Sequence, residues 1–94
     1  MTVPITIPTQ LRSYAGGQRT ISVEGGTVGE ALNALTTRYP NLRQHLFTEE
    51  GSLRSFVNVY LNDEDVRYLQ QTKTLITDSD KLNIVPSVAG GMND

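Results

Sequence analysis

Apolar positions along the chain recur with two different periods. Val3, Ile5 and Ile7 alternate with Pro4 and Thr6, the period of two that marks a strand with one buried face. Pro4 has no N–H to give a ladder, so it is expected at a strand start or on a non-bonded side. Ile21 and Val23 alternate with Thr20, Ser22 and Glu24 and predict a second strand. Between the two runs, Ser13-Tyr14-Ala15-Gly16-Gly17 is a turn signal that predicts a hairpin loop. The period then lengthens. Val28, Ala31, Leu32, Leu35 and Tyr39 fall on one face at helical spacing, behind a capping box of Thr27 and Glu30. Pro40 ends that helix, because the residue before a proline is pushed out of helical φ/ψ.

Leu42 and Leu46 predict one further short turn, followed by a polar loop from Thr48 to Ser55. The run Phe56-Val57-Asn58-Val59-Tyr60-Leu61 predicts a third strand, with Val57, Val59 and Leu61 toward the core and Phe56, Asn58 and Tyr60 on the other face. Asn62-Asp63-Glu64-Asp65 reads as a turn, Val66 to Leu69 as a short return strand, and Asp78-Ser79-Asp80 as another turn. The last strand, Lys81 to Val85, alternates Leu82 and Ile84 with Asn83 and Val85. A hairpin, one long helix and then further strands is the layout of a helix packed on one face of a mixed sheet. With the final strand leading straight into Gly90-Gly91, the pattern predicts an α+β, ubiquitin-like β-grasp fold: a domain over 1–86 and a tail over 87–94.

Ninety-four residues allow one domain with a modest core. There is no cysteine, hence no disulfide framework and no thiol chemistry, which agrees with a cytoplasmic setting. The N-terminus lacks the basic and apolar regions of a signal peptide, and no apolar run reaches the ~20 residues of a membrane span. The net charge of −2 is scattered over both signs, against a nucleic-acid footprint or a polybasic membrane patch.

Catalytic chemistry has little to build on. His45 is the only histidine and is expected to be an ordinary surface residue; without cysteine, no zinc-type ligand set forms and no metal site is expected. Asp63-Glu64-Asp65 resembles the start of a calcium loop, but the sixth residue is Tyr68 where glycine is needed and the twelfth is Thr74 where glutamate is needed. Gly16-Gly17 and Gly25-Gly26 lack the context of a phosphate-binding motif. The chain does not read as an enzyme. Two features point instead to a partner. If Val57, Val59 and Leu61 are buried, Phe56, Tyr60 and Val85 share the open sheet face, a grouping of exposed apolar side chains that suggests docking. The end Gly90-Gly91-Met92-Asn93-Asp94 makes a thin tail able to thread a narrow channel. Gly91 is followed by Met92, so its carbonyl is an amide and not a carboxylate that could be activated.

The segment Ile84-Val85-Pro86-Ser87-Val88-Ala89-Gly90-Gly91 resembles the terminal strand, proline and Gly-Gly of the ubiquitin-like sulfur carriers of the MoaD/ThiS type. Phe56-Val57-Asn58-Val59-Tyr60-Leu61-Asn62-Asp63-Glu64-Asp65-Val66-Arg67, with Ile7-Pro8-Thr9 and Leu11-Arg12, is similar to the CysO branch, which delivers sulfur to a cysteine synthase. The resemblance implies that an E1-like enzyme uses ATP and Mg²⁺ to adenylate the Gly91 carboxylate. Sulfide or a persulfide donor then yields a thiocarboxylate, which a pyridoxal-phosphate synthase accepts. ATP, Mg²⁺ and pyridoxal phosphate belong to those partners; this chain is expected to bind no cofactor.

Carried over by position, Gly91 is the sulfur-bearing terminus, Val88, Ala89 and Gly90 are the threaded tail, and Phe56, Tyr60 and Val85 are the docking face. Met92-Asn93-Asp94 departs from the family pattern, and the resemblance implies that a JAMM-type zinc protease cuts between Gly91 and Met92. A monomer is expected. Two alternatives stay open at this point: a protein modifier joined to lysines through Gly91, and a plain β-grasp interaction domain with a frayed end.

Overall fold

The computed structural model of the chain describes residues 2–66 and 69–86. Its centre is a five-stranded sheet in the order β2-β1-β5-β3-β4. Strand β1 (Thr2–Thr6) pairs antiparallel with β2 (Thr20–Glu24), placing Val3 opposite Val23 and Ile5 opposite Ile21. The Ile7 N–H donates to the Arg19 carbonyl at 2.7 Å, so the odd-numbered residues of β1 carry the ladder toward β2. Pro4 therefore stands at a non-bonded pair, where its missing N–H takes nothing from that ladder. On its other side β1 runs parallel to β5 (Leu82–Pro86), with Ile5 opposite Leu82. Strand β5 is in turn antiparallel to β3 (Val57–Leu61) along its whole length.

Alternation decides which face is buried. Val3, Ile5, Ile21, Val23, Val57, Val59, Leu82 and Ile84 all point to one side and are buried there against helix α1 (Val28–Arg38). From α1 come Val28, Ala31, Leu32 and Leu35, each fully buried, the stripe expected from their spacing. Each of the valine and leucine side chains contributes roughly 1.5–3 kcal/mol through burial, and the alanine methyl less. Leu42 and Leu46, from the 3-10 turn Pro40–Leu42 and the single-turn helix α2 (Arg43–Leu46), close the end of this core.

The start of α1 is fixed from several sides. The Glu30 N–H donates to Thr27 Oγ1 at 3.1 Å, while the Glu30 carboxylate accepts from the Gly26 N–H at 2.7 Å. The return bond of the capping box thus lands one residue before the cap. Residues 74–76 strap the same end, through Val28 N–H to the Thr74 carbonyl and Ile76 N–H to the Gly26 carbonyl, both 2.9 Å. Gly25 lets β2 pass under the helix: a Cβ there would stand 2.7 Å from the Ala31 nitrogen.

Two expectations from the sequence are corrected. The connection from β1 to β2 is no simple turn at Ser13–Gly17 but a 3-10 helix, Thr9–Ala15, stopped by Gly16 at φ 68°. Leu11 and Ala15, four apart and both buried, are the helical signal that the glycine pair obscured. With residues 67 and 68 outside the described residues, the return strand is not found at the described ends of its expected span, Val66 and Leu69. It comes earlier, as β4 (Glu64–Asp65), because the chain reverses in two residues, Asn62 and Asp63, with Leu61 opposite Glu64. Asn62 takes φ 59°, a left-handed conformation that asparagine tolerates. Val66, freed from a strand, is buried in the core.

Candidate functional site

The face of the sheet opposite α1 is open, and β5 lies in its middle. That strand ends at Pro86, directly across from Val57 at the start of β3. Val88, Ala89, Gly90, Gly91 and Met92 lie outside the described residues. Gly91 is the fifth residue after Pro86, a reach of at most ~17 Å for a fully extended chain.

Serine, threonine and asparagine dominate the open face, with an apolar island toward the end where β5 runs out. Register builds the island. Asn58 stands opposite Val85 and Tyr60 opposite Asn83, so Tyr60 and Val85 are diagonal neighbours within side-chain reach. Val85 is 38% exposed. Phe56, 43% exposed, sits in the turn that leads into β3, where the Val57 N–H donates to the Arg54 carbonyl. Phe56 is thus brought to the end of the sheet where β5 finishes. Tyr60 and Val85 also line a shallow depression of about 350 Å³, together with Asn62, Asp63 and Asn83 and without Phe56.

The far wall of that depression is held by a polar network. Asn62 Nδ2 donates to Asp80 Oδ1 at 3.0 Å, and Asn62 Oδ1 accepts from the Lys81 N–H at 3.2 Å. Asp80 Oδ2 accepts from the N–H and the hydroxyl of Thr77, at 2.8 and 3.0 Å. The Asn62 amide first, then the Thr77 N–H, holds the Asp80 carboxyl below its ordinary 3.8, against a smaller opposing effect of burial. Asn62 and Asp63 enter the site unannounced by the sequence reading, which took them only as a solvated turn. Their signal was the short Asn-Asp pair following directly on a strand.

Other groups offer less. His45 is not an ordinary surface residue: it is half-buried, its ring stacks on Tyr14 at 4.3 Å, and its Nε2 is buried without a hydrogen-bond partner among the described residues. The Leu42–Leu46 turn that the core requires carries His45 inward with it. A larger depression, about 410 Å³, lies between residues 51–55 and Gln71–Thr72. Its lining holds two serines but no histidine or carboxylate to activate them. Among the described residues, no group of three histidine, cysteine or acidic side chains could hold a metal ion. No described helix is long and apolar enough to cross a membrane.

Residues 5–91 match the sequence pattern of the ThiS family. The chain belongs to the ThiS family. Its match ends at Gly91, before the last three residues. Sulfur carrier protein CysO of Mycobacterium tuberculosis is 42% identical over 93 residues, covering 97% of this chain and 100% of that protein. A chain of the Amycolatopsis orientalis BexX/CysO complex superposes with a TM-score of 0.86 at 40% identity, covering 95% of this chain and 99% of its own. SAMP1 of Haloferax volcanii superposes with a TM-score of 0.83 at 30% identity, covering 97% of this chain and 100% of its own. The mixed sheet with one covering helix is the β-grasp of these relatives. This ThiS-family chain is a small carrier protein of the CysO type and not a catalyst.

Proposed function

We propose that this protein carries sulfur as a thiocarboxylate on Gly91, formed after Met92-Asn93-Asp94 is removed. The observation that carries the proposal is the end of the family match at Gly91, five residues beyond the central strand of the sheet. A carboxylate is a poor electrophile, so the chemistry needs activation. An E1-like enzyme transfers AMP from ATP to the Gly91 carboxylate, releasing pyrophosphate. Sulfide then attacks the acyl carbon and displaces AMP, leaving the C–S⁻ terminus. A synthase, pyridoxal-phosphate-dependent by the family pattern, accepts that sulfur for cysteine or a related thio-metabolite. Phe56, Tyr60 and Val85 form the face on which these enzymes dock, and the relative solved together with BexX supports docking of this kind. A zinc-dependent JAMM-type protease is the natural agent of tail removal.

The intact mass of the protein expressed in its native host tests this. The expected species has lost Met92-Asn93-Asp94 and gained the increment of an oxygen-to-sulfur exchange. An unprocessed mass in cells actively assimilating sulfur would count against it. The likeness to SAMP1, a small archaeal modifier protein, favours a second reading in which Gly91 is joined to lysines of other proteins. Conjugates surviving a denaturing gel would select that reading.

A further inference from the structure

The depression beside Tyr60 is built for one kind of side chain. Tyr60 and Val85 form its apolar wall, and Asn62, Asp63 and Asn83 its polar lining. The Asn62 amide is engaged at both ends, by Asp80 and by the Lys81 N–H, so that wall is fixed. Asp63 is exposed and makes no hydrogen bond or ion pair among the described residues. An aromatic face attracts a cation, and a carboxylate accepts paired N–H bonds from a planar guanidinium. Val85 and the tyrosine ring suit the aliphatic stem that such a side chain lays along apolar surface. Among the described residues of this lining an anion finds no cationic side chain. An apolar side chain would leave the Asp63 carboxylate desolvated and unpaired. Arginine suits such a lining better than lysine, because its guanidinium is more weakly hydrated and can both stack on a ring and pair with a carboxylate.

We propose that this depression receives an arginine side chain from the protein that takes up the C-terminus. The partner's identity rests on the sulfur-carrier function proposed above; the arginine specificity does not. The geometry also fixes spacing. Asp63 follows the Leu61–Leu82 pair, four residues along β5 from Pro86, or ~13 Å at the rise of a strand. The tail adds at most ~17 Å beyond Pro86. With the two residues from Leu61 to Asp63 and one strand spacing added, Asp63 and the Gly91 carbonyl carbon stand no more than ~40 Å apart.

Two measurements test the proposal separately. The first titrates the ¹⁵N-labelled protein with N-acetyl-L-arginine methylamide and with the citrulline analogue, which keeps the shape and loses the charge. Saturable shifts at Tyr60, Asp63, Asn83 and Val85 are expected with arginine, at about tenfold weaker affinity for citrulline and for Asp63→Asn. Equal response to both compounds, or none at Tyr60 and Asp63, overturns the arginine site. The second follows adenylation of the chain ended at Gly91 by the E1-like enzyme of the same host. Asp63→Asn is expected to raise KM about tenfold and leave kcat unchanged. An unchanged KM, with wild type turning over, overturns the arginine contact and leaves the sulfur-carrier function standing. Failure of wild type to be adenylated overturns that function and the partner named here, while the arginine titration still decides the depression.

Discussion

Asn62 concentrates three constraints in one residue: a left-handed φ of 59°, a side-chain bond to Asp80 and a side-chain bond to the Lys81 N–H. Asn62→Ala removes both bonds and forces a Cβ residue without polar compensation into that conformation. Each lost bond costs about 0.5–1.5 kcal/mol and the conformation roughly 1–2 kcal/mol. Asn62→Gly loses only the bonds, so thermal melts should rank wild type above glycine and glycine above alanine. Asp80 adds a pH dependence whose sign is set by its lowered pKa. A carboxyl held lower in the folded state than its unfolded value, about 3.9, stabilises above that value and loses the effect as pH falls through the folded one. The Tm advantage of wild type over Asp80→Asn should therefore be present at neutral pH and close in acid, as pH falls below the ordinary carboxylate range. None of this was legible beforehand, since Asn62 and Asp80 are eighteen residues apart and nothing local announces the bond.

Among the elements, α1 was the most legible, because its capping box, apolar stripe and terminal proline all point the same way. Thr27→Ala removes the oxygen that accepts the Glu30 N–H and should cost about 1 kcal/mol, a fall of about 4–8 °C in Tm for a domain this size. The capping signal carried only to within a residue, since the glutamate reaches back to Gly26 and not to the cap itself. The strands were legible where one face is buried, as at Val57 and Val59, since alternation records burial directly. Where a segment is short and curls, alternation is a poor guide. The Thr9–Ala15 helix buries only Leu11 and Ala15, too few positions to outvote a Gly-Gly pair. Strand β4 spans two residues and has no period at all.

For the whole molecule, the order of elements was enough to reach the fold, because a hairpin, a crossover helix and a parallel return have few ways to close. The proposed docking face was only partly accessible in this way. Tyr60 and Val85 meet through the β3–β5 register, while Phe56 joins the same end from a turn and the acidic corner at Asp63 needs the tertiary structure. On the proposed function the three-residue extension has a global consequence: it decides whether the molecule can enter the reaction. Full-length protein, with ATP and the adenylating enzyme, should give no pyrophosphate release, and the chain ended at Gly91 should. Release from uncut protein, at a rate like that of the cut form, would contradict the role assigned to the extension.

The central position of β5 has a mechanical consequence. A partner that draws the C-terminus into a channel pulls along the axis of a strand bonded on both flanks, parallel to β1 and antiparallel to β3. Ladder hydrogen bonds run across the strands, so such a load is borne in shear by many bonds at once and not peeled from one end. The domain can be held by its tail under tension without unravelling, and an enzyme that tugs on the terminus moves the carrier as one rigid body.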